Sequence, residues 1–242
     1  MDRRDGEVVM LLRRAAGLVA GLVLAGSALT GCGSEEPEES AGDLLARAKT
    51  TLDDTDRLHF VLTSEGAPTT GTALVGGEGD VVRPASFQGT LQVLALGSAL
   101  DLAVVSVDGT VYAQLPFTSG YSVVDPAQFG FGDPGALLDP DTGISQLLAQ
   151  ADSAELGEER RVDGEVVREV TAELPGDLVE EVLTSADPSR PVQARYSVAP
   201  ESGELRRAEL TGPFYAAGQD ATFTIELSEA GDDVEITAPP VG

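Results

Sequence analysis

The chain has 242 residues with 41 acidic and 15 basic side chains, a formal net charge of −26. Such acidity excludes polyanion binding, which rests on Lys and Arg neutralising phosphates, so no nucleic acid is expected. A single cysteine, Cys32, excludes a disulfide framework, and a chain of this length suits one domain beyond its leader. Lys49 is the one lysine and asparagine is absent, a bias expected of a GC-rich coding sequence.

The N-terminus explains the cysteine. Arg13 and Arg14 precede an apolar run from Ala15 to Ala28, followed by Leu29-Thr30-Gly31-Cys32. A basic start, an apolar middle and small residues before a cut describe a secretory signal. The aliphatic residue, two small residues and cysteine specify the lipoprotein variety, in which the thiol takes a diacylglyceryl group and becomes the new N-terminus. The run is shorter than the roughly 20 apolar residues that span a bilayer. Residues 1–31 are therefore expected to be a signal peptide, leaving a chain of net charge −27 held at the outer face of the cytoplasmic membrane through Cys32. Met10, which opens Met-Leu-Leu-Arg-Arg, is an alternative start.

Residues 32–40 hold Glu35, Glu36, Pro37, Glu38 and Glu39 and nothing apolar beyond the cysteine, the composition of a flexible tether. The domain is placed at 41–242. Ser40 is the expected cap of a helix reaching about Asp53, with Leu44, Leu45, Ala48 and Leu52 at helical spacing. From Leu58 the period becomes two. His59 to Thr63, Phe87 to Val93, Leu100 to Val104 and Val111 to Leu115 alternate as half-buried strands, with Asp108-Gly109 as a hairpin turn. Gly66 to Arg83, rich in Gly and Thr, is expected to be irregular or at an edge.

Pro116 to Pro140 reads as a long break containing short turns, with Leu137 and Leu138 in one of them. Asp141-Thr142-Gly143 is expected to cap an amphipathic helix of Ile144, Leu147, Leu148 and Ala151. Val162-Asp163-Gly164-Glu165 is a second hairpin turn, followed by a strand from Val166 to Leu174 and a short helix of Leu178, Val179, Val182 and Leu183. Strands at 192–198, 205–210 and 221–227 finish the chain. Helices interrupting an antiparallel β chain place it in the α+β class, with helices against one face of a curved sheet.

Catalytic constellations are missing. His59 stands on an alternating strand without companions that sequence can assign, so its role is read as structural. Asp141-Thr142-Gly143 matches the short signature of aspartic proteases, but Pro140 precedes it and no second copy exists. Gly76-Gly77-Glu78-Gly79 lacks the lysine of a phosphate loop, and no EF-hand spacing occurs. No enzyme activity, cofactor or metal is expected.

The order of segments resembles the LppX/LprG (LppX_LprAFG) lipoprotein family of mycobacteria and related actinobacteria. The resemblance rests on the lipobox, Asp43-Leu44-Leu45-Ala46, Leu58-His59-Phe60, the run from Leu138 to Leu148, Val162-Asp163-Gly164, and the junction from Ala172 to Leu178. Leu205-Arg206-Arg207-Ala208 and the run from Val234 to Pro239 complete it. It implies a half-open antiparallel barrel over helices, enclosing a hydrophobic cavity for the acyl chains of long-chain or triacylated (glyco)lipids. It also implies transport across the envelope, in some members beside a major-facilitator exporter. Where the family often places tryptophans, this chain has Tyr196 and Glu229-Ala230.

On that model Phe87, Leu91, Val93, Leu100, Leu102, Val104, Val111 and Ala113 face inward from the sheet. Ile144, Leu147, Leu148, Val179, Val182 and Leu183 line the helical side. The competing expectation is a non-catalytic envelope lipoprotein that holds a protein partner and whose core is filled.

Overall fold

A computed structural model describes residues 39–95, 97–162, 164–216, 218–231 and 234–242. The expected signal peptide, the start at Met10, Cys32 and most of the tether lie outside the described residues. Eleven strands form one antiparallel sheet: β1 (Arg57–Glu65), β2 (Ala73–Val82), β3 (Ser86–Ala95), β4 (Ser98–Val107), β5 (Thr110–Gln114), β6 (Ser122–Val123), β7 (Asp152–Val162), β8 (Glu165–Leu174), β9 (Val192–Val198), β10 (Leu205–Ala216) and β11 (Gln219–Ser228). Among the described residues three helices accompany it, α1 (Ala41–Asp53), α2 (Gln146–Ala149) and α3 (Gly176–Val182), with 3-10 turns at Pro126–Phe129 and Pro134–Leu138.

The strand order is β6-β5-β4-β3-β2-β1-β11-β10-β9-β8-β7, open at β6 and β7. Two meanders, one from each half of the chain, are therefore sewn together by the first and last strands, with Leu62 opposite Ile225. This is the α+β antiparallel architecture read from the sequence. The edge strand β7 is exposed along most of its length, and its charged Glu158, Glu159, Arg160 and Arg161 protect it against pairing with other chains.

Alternation places one residue in two on the inner face. Phe60, Leu62, Phe87, Val93, Leu102, Val104, Val111, Tyr196, Val198, Leu210, Phe223 and Ile225 are buried there. Phe60 stacks on Phe87 at 5.6 Å, and Phe214 meets Phe223 edge-on at 4.9 Å. The α1 helix begins at the expected cap: Ser40 Oγ accepts the Asp43 N–H at 3.1 Å and donates to the Asp43 carboxylate. Its apolar side, Leu44, Leu45, Ala48 and Leu52, is buried, and the helix packs on α2, β7 and β9.

Two expectations are corrected. The segment from Gly66 to Arg83 is not an edge: β2 occupies 73–82 between β1 and β3. Its glycines are there for space. A Cβ on Gly79 would lie 2.5 Å from the Phe87 ring, and Gly89, directly opposite Gly79, is equally covered by that ring. The helix expected from Ile144 to Ala151 shrinks to the four residues of α2, because Gln150 and Ala151 turn directly into β7.

Candidate functional site

Between the sheet and its helical cover lies an apolar pocket of about 130 Å³. Its sheet wall is Phe60 and Leu62 of β1, Leu74 of β2, Leu91 of β3 and Ile225 of β11. Its cover is Phe131 to Leu137, the Thr142-Gly143 turn, and Glu181, Val182 and Leu183 at the end of α3. Asp133 and Glu181 are the charged residues of the lining.

The cover is tied down by few hydrogen bonds. Asp133 Oδ1 accepts from Ser106 Oγ at 2.6 Å and from the Gly135 N–H at 2.8 Å, fixing the 3-10 turn over β4. The turn sits so close that a Cβ on Gly135 would meet both Ala85 O and Ser106 Oγ at 3.0 Å. Farther along, Asp139, not Asp141, organises the loop. One Asp139 oxygen accepts the N–H groups of Asp141 and Thr142 and the Thr142 hydroxyl, and the Gln146 amide closes on Pro140 O. The Asp141 N–H bond chiefly, with those of Thr142, holds the Asp139 carboxyl below the ordinary carboxylate range, against a smaller opposing effect of burial. The aspartic-protease-like triplet is thus a turn supported by its neighbour.

Behind the cover, Tyr196 on β9 reaches across the core and donates its hydroxyl to Leu147 O at 2.8 Å. That carbonyl belongs to the short α2 helix and has too few residues after it to be satisfied within the helix. Burial pushes the Tyr196 phenol well above its usual value. On the opposite wall Tyr215 donates to Leu74 O at 2.7 Å, beside the pocket.

Of the residues expected to line a cavity, the structure brings Leu91, Val182 and Leu183 to the pocket. Phe87, Val93, Leu102, Val104, Val111, Ile144, Leu147, Leu148 and Val179 lie in the packed core around it, and Leu100 is half-buried at the end of the inward row of β4. Sequence reasoning missed Phe60, Leu62, Leu74, Phe131, Leu137 and Ile225 as lining. The same alternation marks Phe60, Leu62 and Ile225 as inward, but it does not say where side chains fail to meet. His59 lies on the outer face, its Nδ1 2.8 Å from Asp80 Oδ1. Among the described residues no group of His, Cys, Asp and Glu is placed to hold a metal.

An open antiparallel sheet with an apolar pocket under a short helical cover is the class of fold the chain adopts. The family model of LppX_LprAFG lipoproteins matches residues 40–236, and the chain belongs to that family. The lipoarabinomannan carrier protein LprG of Mycobacterium tuberculosis is 26% identical over 236 residues, covering 94% of this chain and 96% of that protein. LprG of Mycolicibacterium smegmatis is 27% identical, covering 92% and 94%. Among solved structures, LprF of Mycobacterium bovis superposes with a TM-score of 0.66 at 18% identity, covering 84% of this chain and 97% of that one. LppX of M. tuberculosis gives 0.61 at 14% identity, covering 81% and 98%. These likenesses support the fold.

Proposed function

We propose that the chain is a lipoprotein, anchored through Cys32 at the outer face of the cytoplasmic membrane, that takes acyl chains of glycolipids between sheet and cover and carries them across the envelope. The observation that supports it is the apolar pocket at the seam between two separate layers. Relatives that match the chain over nearly its whole length are named carriers of lipoarabinomannan.

Size sets the mechanism. Ligand pockets usually enclose about 300–1,000 Å³, and the engineered cavity that holds benzene is about 150 Å³. At about 130 Å³ the pocket takes a few methylenes, not a lipid chain. On this reading cargo enters as residues 131–143 and α3 lift from the sheet. Each methylene withdrawn from water contributes about 0.8 kcal/mol, so only sheltering most of a chain extracts a lipid. No catalytic step is needed.

The small volume also favours the second reading, an envelope lipoprotein with a filled core that holds a protein partner. Lipid extraction and mass spectrometry of the chain purified from a mycobacterial host separates the two. Multi-acyl lipid that is lost in Val182→Trp, which fills the pocket from the cover side, supports the carrier. A lipid-free protein that takes up no added long-chain lipid supports the filled core.

A further inference from the structure

Among the described residues five large apolar side chains are exposed: Phe117, Val123, Leu156, Val166 and Val241. Leu156 and Val166 stand on β7 and β8, at one end of the strand order. The other three gather at the opposite end. Val123 is in β6, the terminal strand, and Phe117 is on the loop leading to it. Val241 is brought there by its parallel bridge to Tyr121 and by the Gly242 N–H on Tyr121 O.

The loop is built, not slack. The Thr118 N–H and hydroxyl both bond Leu115 O, and the Gln114 amide donates to Thr118 O. Within this frame Phe117 adopts φ +70°, a region that bulky side chains rarely occupy, and its ring is wholly in solvent. The fold holds a phenyl group outward at a conformational cost. Around it the chemistry changes: residues 110–124 contain no charged side chain, in a chain that is 23% charged.

We propose that this corner, Phe117 with Tyr121, Val123 and Val241, is a second membrane contact that seats the domain on the bilayer interface. This rests in part on the reading of Cys32 as an acyl anchor. Aromatic side chains with one wet and one apolar end, and single apolar residues on a neutral surface, are what the interface accepts. The occupant is a bilayer and not a protein. Four side chains fall far short of the roughly 800 Å² per partner that a stable protein interface buries, whereas insertion rewards each apolar group separately. The chain between Cys32 and the first described residue, Glu39, spans at most about 25 Å at full extension, so an acylated Cys32 keeps Glu39 within that distance of the bilayer surface. Contact therefore takes place at high effective concentration and needs little intrinsic affinity. Glu78, Asp80 and Glu235 share a groove with Tyr121, so a zwitterionic surface suits the corner better than an anionic one.

The chain contains no tryptophan, so one substitution makes a reporter. The full acylated chain carrying Phe117→Trp, reconstituted on phosphatidylcholine vesicles with brominated acyl chains, is expected to show blue-shifted emission quenched severalfold. Val166→Trp, at the other end of the sheet, is expected to show neither. Phe117→Asp is expected to leave the amount of co-purified lipid unchanged while slowing lipid pickup from vesicles. A chain that floats with the vesicles but whose reporter at 117 stays unquenched, or is quenched no more than the one at 166, overturns the proposal and leaves the anchor and the carrier readings standing. A chain that does not float at all removes the anchor and this contact together.

Discussion

Replacing Tyr196 by Phe removes one oxygen atom and tests whether the cover is pinned from behind. The ring, buried to 1% exposure, stays in place, so no cavity of consequence opens. What is lost is the donor to Leu147 O. Leaving a buried carbonyl unpaired costs about 1–3 kcal/mol. For a domain of this size each kilocalorie shifts the melting temperature by roughly 2–4 °C, so Tyr196→Phe should melt about 2–12 °C lower by circular dichroism. The hydroxyl also predicts a pH limb. Its pKa is raised on folding by burial, so the folded state holds the proton more tightly than the unfolded chain. Stability is then complete below the ordinary phenol value of about 10 and falls as pH rises beyond it. The Phe variant should lose that share of the alkaline decline. An unchanged melting temperature together with an unchanged alkaline limb would show that Leu147 O has found water instead, and would refute the pin.

Gly89→Ala should be among the most damaging small substitutions in the sheet. Its Cβ would sit 2.2 Å from Glu78 O and 2.7 Å from Gly79 Cα, backbone atoms that cannot turn aside. A loss of about 1–3 kcal/mol is expected in urea unfolding, while Gly42→Ala in α1, whose Cβ meets only Ser40 Oγ at 3.9 Å, should shift the midpoint the other way. Asp139→Asn should weaken the cover loop by about 0.5–1 kcal/mol, at the low end for a capping carboxylate because the group is largely solvated. The carboxyl's pKa is lowered on folding, so its contribution is present above the unfolded value of about 3.9 and disappears as pH falls through the folded one. Urea midpoints measured across that interval should therefore fall more steeply for the parent than for the Asn variant.

What was legible in the sequence follows from how local each cause is. Ser40 capping α1 and the Asp108-Gly109 turn, both central residues at positive φ, are decided by neighbours in the chain. So are the alternating strands β1, β3, β4 and β9. The pairing of β1 with β11 joins residues more than 150 positions apart and has no local signature. Strand β2 was hidden because Gly76, Gly77 and Gly79 read as loop residues. The purpose of Gly77 and Gly79, room for Leu91 and the Phe87 ring, becomes visible only when β3 lies alongside. Strand β7 was hidden for the opposite reason, since both its faces are largely wet and no alternation is imposed. For the pocket, periodicity identified the inner face. Which inward residues border empty space depends on how far the 131–143 loop and α3 stand off the sheet, and that is a property of the pair of layers.

This difference in how the two layers are held bears on how a carrier of this shape would open. The sheet is a continuous ladder, and separating any two of its strands breaks several backbone hydrogen bonds at once. The cover meets the sheet through side chains: Asp133 on Ser106 and the apolar contacts of Phe131, Leu137 and Val182, while Tyr196 holds α2 behind it. Each such hydrogen bond contributes about 0.5–1.5 kcal/mol net, and each acyl methylene that replaces a cover contact returns about 0.8 kcal/mol. One or two methylenes therefore offset each bond released, so on the carrier reading a long chain entering the seam can lift the cover without disturbing the ladder. Cargo with only a few methylenes cannot, because it leaves the parted layers wet. On these magnitudes, the carrier proposed above selects its cargo by chain length.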